Sequence, residues 1–185
     1  MRSENHLVGG IALASIASDA AYAIPVEIPV LSDAVAWSVD RAAVGVVCAF
    51  LLYLLGCLLP DIDISSSWLG RFVCVFGDHR TWTHALWVPM ALVVWWVFDP
   101  TRAWVLWLVF GYMVHLILDS WSAMGICWFW PYPGYRTYGR GARVKKSKFH
   151  KAFSFYHTGT DEEQRVVTLL VLAAAVCKIF QATRP

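Results

Sequence analysis

The sequence predicts an all-α, polytopic membrane protein of about five transmembrane helices, with a His/Asp cluster at their cytoplasmic ends. Three observations predict it. Hydrophobic residues make up 58% of the 185 residues and charged residues only 15%, against roughly 45–50% and 25% in soluble domains. Long apolar runs are separated by turn signals. The His- and Asp-bearing motifs recur at alternate helix ends, so the up-down path of the chain gathers them at one face. A soluble chain of this size buries only about 70% of its unfolded surface, too little to hide so much apolar material. Disorder needs low hydrophobicity and high net charge, and the formal charge is only +2, which gives no basis for a nucleic-acid partner. Residues 1–185 read as a single integral membrane domain, with 132–160 a basic cytoplasmic loop within it.

The first helix is the run of small and apolar residues Leu7–Ser18, suited to close packing in a membrane. Ala21-Tyr22-Ala23 resembles a signal-peptide cleavage pattern, but Arg2 is offset by Glu4 and Asp19 sits badly in a leader. The second helix is Ala42–Leu59, an uncharged run of 18 residues stopped by Pro60, close to the ~20 residues that cross ~30 Å of hydrocarbon. Ala85–Phe98 and Ala103–Leu118 form a helical hairpin across the Asp99-Pro100 turn. Val166–Phe180 is the fifth apolar run.

Loop charges set the orientation. Tyr135–Lys151 carries Arg136, Arg140, Arg143, Lys145, Lys146, Lys148 and Lys151 with no acid, whereas Pro25–Arg41 carries Glu27, Asp33 and Asp40 against one Arg. The positive-inside rule puts the basic loop, the Asp61–His84 loop and the N-terminus in the cytoplasm. Trp95, Trp96 and Trp104 then mark one interface; Trp82, Trp87, Trp121, Trp128 and Trp130 mark the other.

On this topology His6, Asp61, Asp63, His79, His84, His115 and Asp119 all arrive at the cytoplasmic helix ends. His115 and Asp119 are four apart and share a helix face. Asp61 and Asp63 follow Pro60 in what reads as an extended segment, where alternate side chains point to opposite faces, so one can face a metal while the other caps a helix or fixes a histidine tautomer. His150 and His157 lie among basic and aromatic residues and read as solvated or lipid-facing. Imidazole with carboxylate suits Zn2+, with Mn2+ and Fe2+ as further options, in a centre of one or two ions or more. The five cysteines are odd in number, lack a CxxC pair and read as small buried hydrophobes.

His6, LLPDID at Leu58–Asp63, HRTWTHAL at His79–Leu86 and GYMVHLILDSWSAMGICWFWP at Gly111–Pro131 together resemble the YdjM-like, LexA-regulated, membrane-bound metal-dependent hydrolases. The resemblance covers most of the chain. It implies a bacterial inner-membrane protein with a divalent metal held by the seven His and Asp residues above. In this chain Thr81 stands where that family more often has Gly, and Ala85 where it more often has Ser. A fainter likeness, in ligand type and order only, is to the zinc-dependent phospholipase C superfamily.

The expected function is hydrolysis of a phosphoester in a lipid or lipid-linked substrate at the cytoplasmic face. Asp63 is the candidate general base and Arg80 the candidate phosphate partner. Anionic headgroups are the expected contact of the basic loop. The alternatives are a non-catalytic metal-binding scaffold and an ion or metal transporter. A transporter places ionisable groups near mid-membrane, and here only Asp19 is a candidate for that.

Overall fold

The computed structural model describes residues 3–23, 33, 42–64, 80, 82–123, 125–131 and 155–183. Among these there are five α-helices and no strand: α1 Ser3–Ala23, α2 Ala42–Leu58, α3 Trp87–Phe98, α4 Val105–Ser120 and α5 Asp161–Ala182. The basic stretch Tyr135–Lys151, His79, His150 and Cys74 lie outside the described residues, as does almost all of the acidic stretch Pro25–Arg41.

Each apolar run forms a helix, with boundaries moved for local reasons. Helix α2 ends at Leu58, but the chain does not leave the axis at Pro60; it tightens into a 3₁₀ turn, Leu59–Asp63, with the proline in its first turn. There its missing N–H costs nothing. Helix α5 begins at Asp161, five residues before its apolar run, with Asp161, Glu162 and Glu163 in its first turn. Acidic side chains there oppose the positive end of the helix dipole. The Asp99-Pro100 signal becomes a 3₁₀ turn, Pro100–Arg102, joining α3 to α4.

Two described segments are long and apolar enough to cross a membrane, Gly45–Asp63 and Asp161–Ala182. The 12 residues of α3 and 16 of α4 rise only roughly 18 Å and 24 Å, short of ~30 Å of hydrocarbon.

Packing is organised around α4, whose most extensive partner is α2, while α1 pairs with α5. Gly56 and Gly111 make the α2–α4 contact possible. A Cβ on Gly111 would overlap the Tyr53 carbonyl oxygen, and one on Gly56 would overlap that of Leu108. Small residues let helix backbones meet this closely. Two apolar clusters flank the far end of α4. Leu118, Tyr156 and Val167 form one, and Tyr112, Leu116 and Ile126 the other.

The outward faces are apolar. Val46, Val47, Phe50, Leu51 and Leu55 of α2 are exposed, as are Leu169, Val171, Leu172, Val176, Ile179 and Phe180 of α5. Polar groups are buried instead: His6, Asp61, Asp63, Arg80, His84, His115, Asp119 and Glu163. Apolar outside and ionisable inside is the arrangement expected when the surrounding solvent is lipid.

Candidate metal centre

Helices α1 and α5 begin, and α2 and α4 end, at the same end of the bundle. Their termini deliver His6 from α1, Asp61 and Asp63 from the 3₁₀ turn after α2, and His115 and Asp119 from α4. The turn before α3 adds Thr83 and His84.

Four donor atoms converge. His84 Nε2 and His115 Nε2 are 3.3 Å apart. Asp61 Oδ1 is 3.8 Å from the first and 3.6 Å from the second. Asp119 Oδ2 is 3.5 Å from His84 Nε2 and 3.8 Å from His115 Nε2. These are five of the six edges of a tetrahedron. Metal–ligand bonds of 2.0–2.1 Å give a tetrahedral zinc site edges of roughly 3.3–3.4 Å. All five distances lie within about half an ångström of that value.

The hydrogen bonds behind the donors fix their tautomers. His115 Nδ1 lies 2.7 Å from the Cys57 carbonyl oxygen, which only accepts, so Nδ1 carries the proton and Nε2 presents a lone pair. Thr83 Oγ1 donates its one proton to Asp63 Oδ2 at 2.6 Å. It must then accept from His84 Nδ1 at 2.9 Å, which leaves His84 Nε2 as a lone pair too. Two nitrogen lone pairs and two carboxylate oxygens facing one another repel unless a cation lies between them. A carboxylate or carbonyl behind the distal imidazole nitrogen is the usual support of a metal-binding histidine.

Asp63 is not one of the four converging donors. It also accepts from the Arg80 backbone N–H at 3.4 Å, and it acts on the centre through Thr83. The Tyr112 hydroxyl donates to the Thr83 carbonyl and pins the same turn to α4.

Arg80, expected from sequence to meet a phosphate, has both terminal nitrogens committed to the protein. Nη2 meets Asp119 Oδ1 at 3.1 Å and Thr158 Oγ1 at 3.4 Å. Nη1 donates to Ser122 Oγ at 2.7 Å and the Gly125 carbonyl at 3.4 Å. Its φ of 66° is left-handed, at a cost of about 1–2 kcal/mol for a residue with a Cβ, which this buried network offsets.

His6 stacks on His115 with ring centroids 3.7 Å apart, and its Nε2 lies 3.2 Å from Asp119 Oδ1. With Asp61 and His115 it makes a second group of potential metal donors. Both groups use His115, whose Nδ1 is already engaged, so they overlap on one nitrogen lone pair.

Several participants carried no clear sequence signal. Backbone pairing of Ser122 with Tyr156 brings 155–158 alongside the end of α4, through Ala123 N–H to Tyr156 O at 2.7 Å and Phe155 N–H to Trp121 O at 2.8 Å. This delivers Thr158 to Arg80. Burial and the nearby Asp119 charge push the Tyr156 phenol well above its ordinary range, so it stays a donor, to Leu118 O at 2.6 Å. Glu163 accepts from Asn5 Nδ2 at 2.5 Å and from the Gly159 N–H at 2.6 Å, tying the start of α5 to that of α1. His157 stays outside the cluster, exposed and 2.9 Å from Glu162.

A family model described as "YdjM inner membrane protein" matches residues 1–184. The chain belongs to that family. It is 30% identical over 145 residues to the inner membrane protein YdjM of Escherichia coli (strain K12), covering 71% of this chain and 66% of that protein, and matches YdjM of Shigella flexneri equally. The chain thus spans just under two thirds of these relatives' length. It is also 31% identical over 185 residues to the uncharacterized protein YvsG of Bacillus subtilis (strain 168), covering 94% of this chain and 92% of that protein. No solved structure matches. Family membership places the protein in a bacterial inner membrane. The matched names carry neither LexA control nor a phospholipase C likeness.

Proposed function

We propose that the protein is a metal-dependent hydrolase that cleaves a phosphoester of a lipid or lipid-linked substrate at the cytoplasmic face of the inner membrane. The observation that carries this reading is the set of four donor atoms with five of their six separations at 3.3–3.8 Å, backed by hydrogen bonds that turn both imidazole lone pairs inward. His84, His115, Asp61 and Asp119 hold the ion, which the donor set suits as Zn2+. When bound, such an ion supplies Lewis-acid polarisation of a phosphoryl oxygen and makes water a nucleophile near pH 7. Thr83 and Asp63 orient His84, and the Cys57 carbonyl orients His115. With the proposed topology of five membrane passes and a cytoplasmic N-terminus, this centre would lie at headgroup level, where the seven Lys and Arg of Tyr135–Lys151 would attract anionic lipid.

The test uses the full chain in detergent. Purified without chelator, it is expected to carry a divalent ion that His115→Ala loses, and to hydrolyse a phosphodiester reporter in a chelator-sensitive way. Metal-free wild type of unchanged stability would sink the reading.

One observation favours a second reading, a metal-binding scaffold without turnover. Two imidazoles and two carboxylates supply four protein donors, the number found in structural zinc sites. Co2+-substituted protein separates the two. A visible spectrum that shifts on adding phosphate reports an exchangeable position and supports catalysis; an unresponsive spectrum with no turnover supports the scaffold.

A further inference from the structure

We propose that the centre holds one divalent ion, and that the Arg80 guanidinium occupies the place a second ion would take. The inference rests on the metal-binding reading above and adds its stoichiometry.

Asp119 divides its two oxygens. Oδ2 faces His84 and His115 in the donor tetrahedron. Oδ1 faces the other way, toward Arg80 Nη2 at 3.1 Å and His6 Nε2 at 3.2 Å. A carboxylate with one oxygen on a first ion is the natural bridge to a second, and here that outer oxygen is already met by a fixed cation. The guanidinium cannot swing away freely, because Ser122 Oγ, the Gly125 carbonyl and Thr158 Oγ1 hold its terminal nitrogens. A further divalent ion on Oδ1 would lie in contact with this buried positive charge.

The lone-pair count agrees. The two potential donor groups, His6 with Asp61 and His115, and His84 with His115 and Asp119, share His115. Its Nδ1 is spent on the Cys57 carbonyl, so its Nε2 serves one ion.

Charge agrees as well. Among the described residues, the buried carboxylates around the centre are Asp61, Asp63 and Asp119, and the buried permanent cation is Arg80. With neutral imidazoles the sum is −2, which one divalent ion cancels and two would overshoot in a medium where uncompensated charge is costly. The Glu163 carboxylate is met separately by Asn5, the Gly159 N–H and the N-terminal end of α5.

The experiment is metal counting on the full-length protein in detergent micelles. Zinc-loaded protein is freed of loosely held ion and its metal measured per chain. A parallel Mn2+-loaded sample is read by electron paramagnetic resonance, which distinguishes an isolated ion from an exchange-coupled pair. Wild type is expected to hold one ion with an isolated-ion spectrum. Two tightly held ions, or a coupled spectrum, would overturn this inference and leave the metal-dependent reading standing. No bound ion would overturn both. Arg80→Met removes the charge, and the folded variant is expected to take up a second ion, which a further His6→Ala change abolishes. Folded Arg80→Met that stays at one ion would remove Arg80 from the explanation. Should that variant not fold, Arg80→Lys decides with the wild type: it keeps a positive charge and is expected to stay at one ion, whereas two would overturn the proposal.

Discussion

Two arginine–aspartate pairs lie at opposite ends of helix α4, and the longer one matters more. Arg102 Nε meets Asp99 Oδ2 at 2.6 Å, with the side chains 44% and 37% exposed. Arg80 Nη2 meets Asp119 Oδ1 at 3.1 Å, with 7% and 1% exposed. Exposed pairs exchange one set of water contacts for another and are screened by salt. The buried pair has no water to fall back on, so removing either partner strands a charge. Distance alone would rank the two in reverse; burial and surrounding partners rank them correctly. The exposed pair also has an interfacial setting: Arg102 lies 5.0 Å over the Trp95 ring, which meets Trp104 edge-on.

The largest effect expected is therefore from breaking the buried pair. Arg80→Met should cost about 3–5 kcal/mol, read as a fall in the thermal midpoint of the detergent-solubilised protein. Arg102→Met, scanned alongside, should leave the midpoint unchanged. Equal shifts would mean that burial does not separate the pairs.

The sequence made one half of this comparison visible. HxxxD on an apolar helix, LPDID after a helix stop and the alternation of helix direction together point to a cluster at one end of the bundle. The structure brings His6, Asp61, His84, His115 and Asp119 there. What Arg80 touches is set by tertiary contacts across a long sequence gap, with Asp119, Ser122, Gly125 and Thr158. An arginine beside a histidine motif reads equally well as a substrate contact until those partners are placed. Thr83 is similar: its role follows from sitting between Asp63 and His84, which no spacing rule encodes. Helix starts were also hard to read, because α5 opens on three acidic residues that hydrophobic patterning passes over.

Thr83 gives the next prediction. Thr83→Val keeps the shape but removes both the donor to Asp63 and the acceptor for His84 Nδ1–H. Free of that constraint, the imidazole can turn its proton toward the centre. Affinity for Zn2+, measured by competition with a chromogenic chelator, should fall about 10–100-fold, with the fold retained. Unchanged affinity would remove the Asp63–Thr83–His84 chain from the account of the site.

A smaller effect tests the helices that carry the site against the helix that faces outward. Gly111→Ala places a methyl group against the Tyr53 carbonyl, and overpacking of this kind costs about 1–3 kcal/mol. Since α4 carries His115 and Asp119, zinc affinity should fall with it. Ala173→Leu, on the exposed face of α5, adds more volume where nothing is packed, and should change neither stability nor affinity. A substantial loss from Ala173→Leu would show that α5 has a packing partner on that face.

The smallest effect concerns how the exposed pair is held. The Asp99 carboxyl lies below its ordinary range, first because the Thr101 hydroxyl donates to it and second because Arg102 does. A carboxyl lowered in the folded state adds stability above its unfolded pKa of about 3.9. That contribution is lost as pH falls through the lower folded value. The window is therefore acidic, and the turn should be indifferent to pH near neutrality. Carbon-detected magnetic resonance of the Asp99 carboxyl reads the midpoint directly. Thr101→Val should raise it more than Arg102→Gln does, because valine removes the hydrogen bond that lowers the carboxyl most, whereas glutamine removes the charge but keeps an N–H able to donate. If Arg102→Gln gives the larger rise, or if high salt erases the lowering in the wild type, the pair is held by charge after all. Its contrast with Arg80–Asp119 would then be one of degree.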